Sequence, residues 1–128
     1  MLLDTSAKTL ARLALPLALA FITFMALSPS PPLTPIDRFG DKVQHMAAFG
    51  SLAVLARMAY PAVSPWRVLE RLAFYGALIE VFQAIPALHR SCDWRDLLAD
   101  VVALAVALSL FETGARWRKT NRPLHAPS

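Results

Sequence analysis

Four apolar runs divide this chain, and the groups between them leave little choice of architecture. The runs cover Leu13 to Leu27, about Val43 to Tyr60, about Val68 to Ile85 and about Leu97 to Phe111. Ser28-Pro29-Ser30-Pro31-Pro32 ends the first, because proline lacks the N–H a helix needs and disfavours helical geometry in the residue before it. Pro61 and Pro65 separate the second and third, and Pro86 with the polar stretch His89 to Asp96 separates the third and fourth. Each run is close to the length needed to cross a bilayer, about 17 residues. The expectation is an all-α fold, an integral membrane four-helix bundle with helices at about residues 10–27, 43–60, 68–85 and 97–113 in a single domain over 1–128.

Composition agrees with lipid as solvent. The chain is 56% hydrophobic and only 17% charged, where a soluble domain carries about a quarter charged residues. In water so apolar a chain would expose large patches. A cleaved signal peptide is the rival for the first run, but Pro29 directly after Ser28 disfavours cleavage there and three further apolar runs follow. Cys92 is the only cysteine, which excludes an internal disulfide and a thiolate metal cluster. The net charge of +4 does not imply nucleic acid, because the basic residues stand at the ends of apolar runs.

Those basic residues set an expected orientation, since cytoplasmic loops retain Lys and Arg. With the amino end inside, nine fall on the cytoplasmic side, from Lys8 and Arg12 through Arg57, Arg67 and Arg71 to Arg116, Arg118, Lys119 and Arg122. Four fall outside: Arg38, Lys42, Arg90 and Arg95. This selects an amino-in, carboxyl-in arrangement, with a cytoplasmic basic tail suited to anionic lipid. Arg57, near a helix end, is expected to snorkel outward. Trp66, Trp94 and Trp117 fall near helix ends, as interfacial aromatics do.

Most acidic residues map to the outer half: Asp37, Asp41, Glu80, Asp93, Asp96 and Asp100. Ionisable groups are costly in spanning segments and usually pair or carry function. At 100° per residue, Asp41 and His45 share a face, Glu80 and Gln83 share another, and Asp93, Asp96 and Asp100 form a third stripe. Glu80 and Asp100 should lie at similar depth, with His45 and Gln83 nearer the surface. Glu80 then needs a partner from another helix, and Arg90 and Lys42 are the nearest cations. Asp37 and Arg38 read as a solvated loop pair.

The run Asp41-Lys42-Val43-Gln44-His45, then Glu80-Val81-Phe82-Gln83, then Arg90 to Asp100 with Asp93 and Asp96 between, resembles the VanZ-like family of small bacterial membrane proteins. The likeness spans Asp41 to Asp100 and rests on the order DKxxH, ExxQ, RxxDxxD. Where that family usually has Asn and a glycine-rich run, this chain has Asp100 and Val101-Val102-Ala103. The resemblance implies a role in the cell envelope; the founding member is associated with resistance to the glycopeptide teicoplanin.

On this reading an outward-facing site formed by Asp41, Lys42, His45, Glu80, Gln83, Arg90, Asp93, Asp96 and Asp100 binds an anionic lipid-linked or cell-wall precursor. Lys42 and the planar fork of Arg90 would hold phosphate. His45, Glu80, Asp96 and Asp100 are the candidates for any catalysis, His45 as a proton carrier and Glu80 with Asp100 as an acid pair or as oxygen ligands for a divalent cation. No resident metal or cofactor is assigned. Expected partners are membrane lipids and that precursor, with no nucleic acid and the oligomeric state open. Two alternatives stand beside it: a network that only packs the helices, and a small proton- or ion-coupled transporter component, against which the apolar stretches from Glu80 to Arg71 and from Asp100 to Glu112 argue. Ser91 has no base beside it in sequence, and Cys92 is read as inert.

Overall fold

The computed structural model describes residues 4–29, 40–88 and 93–123. Within them the fold is all-helical: α1 Thr5–Leu27, α2 Asp41–Ala59, α3 Pro65–Gln83 and α4 Trp94–Thr120, with one 3-10 turn at Pro86–Leu88 and no strand among the described residues. The prolines and loops separate the helices where the apolar runs do. The ends differ by several residues because caps, rather than hydropathy, fix where a helix starts.

Asp4 accepts the Ala7 N–H at 2.7 Å, so α1 begins a full turn before residue 10. Ser64 caps α3 by accepting the Arg67 N–H, and Pro65 sits in the first turn, where no N–H is required. Asp93 is the cap of α4 and accepts the Arg95 N–H at 2.9 Å; it stands before the helix rather than on its first turn. Gly40 enters α2 with φ +89°, a left-handed conformation that a side chain would oppose. At its far end α4 continues beyond residue 113 to Thr120, well past the apolar run. The added residues include Arg116, Arg118 and Lys119, which are good helix formers and suit the negative end of the helix dipole.

The most extensive packing is between α2 and α4 and between α1 and α2, and α3 lies chiefly against α4. The core joins Phe49, Leu52, Ala53 and Ala56 of α2, Val68, Leu72 and Ile79 of α3, and Leu104 and Leu108 of α4. Large apolar side chains also cover the outside in stripes at helical spacing. Leu10, Leu13, Leu17, Phe21 and Phe24 are exposed on α1, Phe74, Leu78, Val81 and Phe82 on α3, and Leu98, Val102, Val106 and Leu110 on α4. By length and composition α1 and α4 are able to cross a membrane. The same test does not select α2, which carries Lys42 and Arg57, or α3, which carries Arg67, Glu70, Arg71 and Glu80.

Arg57 does not snorkel. It is 7% exposed, its Nε donates to Glu112 Oε1 at 2.6 Å, and its Nη1 donates to the carbonyls of Pro61 and Val63. The α2–α3 turn leaves those carbonyls without helical donors, and the guanidinium satisfies them while pairing α2 with α4. At the rim of α1, Arg12 donates to the Ala59 carbonyl at 2.8 Å and lies over the Tyr60 ring.

Candidate functional site

Residues far apart in sequence meet where the start of α2, the end of α3 and the start of α4 come together. His45 Nδ1 lies 2.9 Å from Asp100 Oδ1, a hydrogen bond in which the ring N–H donates when the carboxylate is ionised. His45 Nε2 faces Asp96 Oδ2 at 3.9 Å. Lys42 Nζ is 3.3 Å from Asp96 Oδ1 and 4.0 Å from Asp93 Oδ2. Glu80 enters from α3: its Oε2 accepts the Asp93 backbone N–H at 3.0 Å. One ligand atom from each of His45, Glu80 and Asp100 falls within 4.8 Å of the other two.

Burial grades the cluster from rim to floor. The Lys42 side chain is over half exposed, Asp96 and His45 are mostly covered, and Glu80 and Asp100 are buried, at 5% and 1% exposure. The floor is shaped by Gly76, on the face of α3 that meets Asp100. A Cβ there would stand 3.2 Å from Asp100 Oδ2 and from two carbons of the Phe49 ring. The bare backbone thus lets α3 approach α2 and α4 closely enough to bring Glu80 beside Asp100. The sequence offered no motif for Gly76; its place one helical turn before Glu80 was the available signal.

The expected site residues separate into groups. Lys42, His45, Glu80, Asp93, Asp96 and Asp100 are brought together. His45, at 16% exposure against 1% for Asp100, stays closer to the rim and reaches Asp100 through its Nδ1. Gln83 turns away toward α1, where its Nε2 donates to the Ala26 carbonyl at 2.9 Å. Lys42, an expected partner for Glu80, goes instead to Asp96 and Asp93, while Glu80 Oε2 takes the Asp93 backbone N–H. Arg90 lies outside the described residues, as do Asp37, Arg38, Ser91 and Cys92, and so does the Asp41 side chain.

The chemistry open to this arrangement follows from its donor set. Four carboxylates face one lysine and one histidine among the described residues, so the cluster carries an excess of negative charge. Glu80 Oε1 is buried without a hydrogen-bond partner among the described residues. At the other end of the molecule a groove between α3 and α4, lined by Trp66, Leu69, Leu108, Glu112 and Arg116, holds no comparable set of convergent acids. No family model matches the chain, and no curated protein or solved structure matches it either.

Proposed function

We propose that the chain is a multi-pass protein of the bacterial cytoplasmic membrane, a four-helix bundle with both ends inside, and that its polar cluster binds a phosphate-bearing component of the envelope from the outer side. The observation that carries this reading is the inversion of polarity at one end of the bundle. Carboxylates, an imidazole and an ammonium from three helices converge inside it, while large apolar side chains cover the outside of α1, α3 and α4. Lipid accounts for the outside, and an ion or anionic headgroup accounts for convergent charge at an open rim. On this reading α2 and α3 cross with their charges turned inward, paired across the bundle as Arg57 is with Glu112. Lys42, over half exposed, is the described cation placed to meet a phosphate, and Arg90 is the second by its resemblance to the VanZ-like motif. The same resemblance supports an envelope role linked to glycopeptide sensitivity.

A packing network is the second reading, favoured by the reciprocal contacts Lys42–Asp96 and His45–Asp100. The two differ in what charge exchange does, because a buried ion pair is often no better than packed hydrocarbon. The test uses the full chain in phosphatidylcholine nanodiscs with a polyprenyl monophosphate or the corresponding neutral alcohol. Retention of the phosphate alone, reduced at least tenfold by Lys42→Gln or Arg90→Gln, is the expected result. In cells permeable to the drug, the Glu80→Gln and Arg90→Gln variants should reproduce the envelope and glycopeptide phenotype of a deletion at equal accumulation. Full function in a double variant with Glu80 and Arg90 both replaced by apolar groups would reduce the cluster to packing.

A further inference from the structure

The cluster contains a feature that ion pairing does not explain. Glu80 is 5% exposed, one of its carboxylate oxygens takes a backbone N–H, and the other has no hydrogen-bond partner among the described residues. Leaving such an acceptor unpaired in the interior is costly. The two groups nearest in chemistry, His45 and Asp100, each present a donor atom within 4.8 Å of a Glu80 oxygen and of each other. Asp100 is 1% exposed, and its Oδ2 lies 3.2 Å from where a Cβ on Gly76 would stand. Negative charge exceeds positive across the described cluster, with Lys42 drawn to Asp96 and Asp93 instead of Glu80.

We infer that His45, Glu80 and Asp100 form a binding site for one divalent transition-metal ion, with Zn²⁺ as its simplest occupant. One imidazole and two carboxylates suit such an ion better than Mg²⁺ or Ca²⁺, which favour oxygen-only shells. Three protein ligands leave a fourth position of a tetrahedral site open. Bonds of about 2.0–2.2 Å to Zn²⁺ place neighbouring ligand atoms roughly 3.3 Å apart, so the three donors close by about 1.5 Å at most from their present spacing. For the ring to bind through Nδ1, its single proton sits on Nε2 instead, a tautomer change with no net proton release, and Nε2 then donates to Asp96, now 3.9 Å away. The ion offsets two of the excess negative charges and gives the unpaired Glu80 oxygen a partner. Its open position is where a phosphate oxygen would bind; that last step rests on the function proposed above, and the metal site does not.

The experiment takes the full chain, stripped with chelator and held in phosphatidylcholine nanodiscs, and titrates Zn²⁺ alone by calorimetry. Co²⁺ is added in parallel and its d–d absorption recorded, since tetrahedral coordination with nitrogen and oxygen ligands gives visible bands far more intense, and further to the red, than the weak absorption of hexaaqua Co²⁺. One ion per chain is expected, with affinity lowered at least tenfold by Glu80→Gln or Asp100→Asn. Asp96→Asn, which preserves volume and removes the negative charge that the ring N–H faces, should weaken binding by about tenfold. If the ligand variants fail to accumulate, the wild-type Co²⁺ spectrum and Asp96→Asn still decide. No binding at millimolar Zn²⁺, equal binding by wild type and the ligand variants, or an octahedral Co²⁺ spectrum overturns the site. Zn²⁺ uptake without retention of polyprenyl monophosphate leaves the metal site standing and removes the proposed ligand. Retention of the phosphate by chelated protein that takes up no Zn²⁺ does the reverse.

Discussion

At the scale of single residues, Gly76 and Arg57 carry consequences that neighbouring positions do not. Gly76→Ala places a methyl 3.2 Å from Asp100 Oδ2 and the Phe49 ring, and both are buried. Overpacking of this kind costs about 1–3 kcal/mol. Unfolding by denaturing detergent should show that loss for Gly76→Ala and none for Gly50→Ala, where the nearest atom, Ala107 Cβ, lies 3.9 Å away. The Gly76 variant should also lose Zn²⁺ affinity, because the displaced carboxylate is one of the three proposed ligands. Arg57→Met removes the donor to Glu112 and to the carbonyls of Pro61 and Val63 together. The same unfolding measurement should report about 3 kcal/mol, the lower part of the range for breaking a buried pair, because the Glu112 side chain keeps 27% exposure. Glu112→Gln retains an acceptor for the guanidinium and should cost less than Arg57→Met.

At the scale of elements, what the sequence made legible was periodicity, and what it hid was direction across helices. The separation of four helices followed from the prolines after Ser28 and from Pro61, Pro65 and Pro86, whose backbone effect acts locally. The meeting of His45 with Asp100 was legible in part, because both sit on polar faces at a common end of their helices. Gln83 was not: its spacing from Glu80 fits a shared stripe, yet the 60° between them is enough for one to face α4 and the other to reach the Ala26 carbonyl on α1. Arg57 escaped for a related reason, since an arginine near a helix end has water on one side and orphan carbonyls on the other, and only tertiary packing decides between them. Asp93 looked like the first member of a helical stripe, whereas capping uses the residue before the helix.

At the scale of the whole molecule, the proposed orientation follows from basic residues nine to four in favour of one side. Single cysteines in a Cys92→Ser background test it: residue 34 should react with an impermeant thiol reagent in intact cells and residue 118 should not. The opposite pattern would invert the topology and turn the cluster toward the cytoplasm. The pairs that cross the molecule also carry a chronology. His45 meets Asp100 and Arg57 meets Glu112, each over 55 residues of chain. At about 5–20 residues per second, on the order of several seconds of synthesis separate the emergence of each group on α2 from that of its partner. During that interval the ribosome holds a nascent chain whose second helix bears charges with no counterpart yet made. Because α4 is translated after α2 and carries the partners of its charges, these two pairs form only once the later helix has been made.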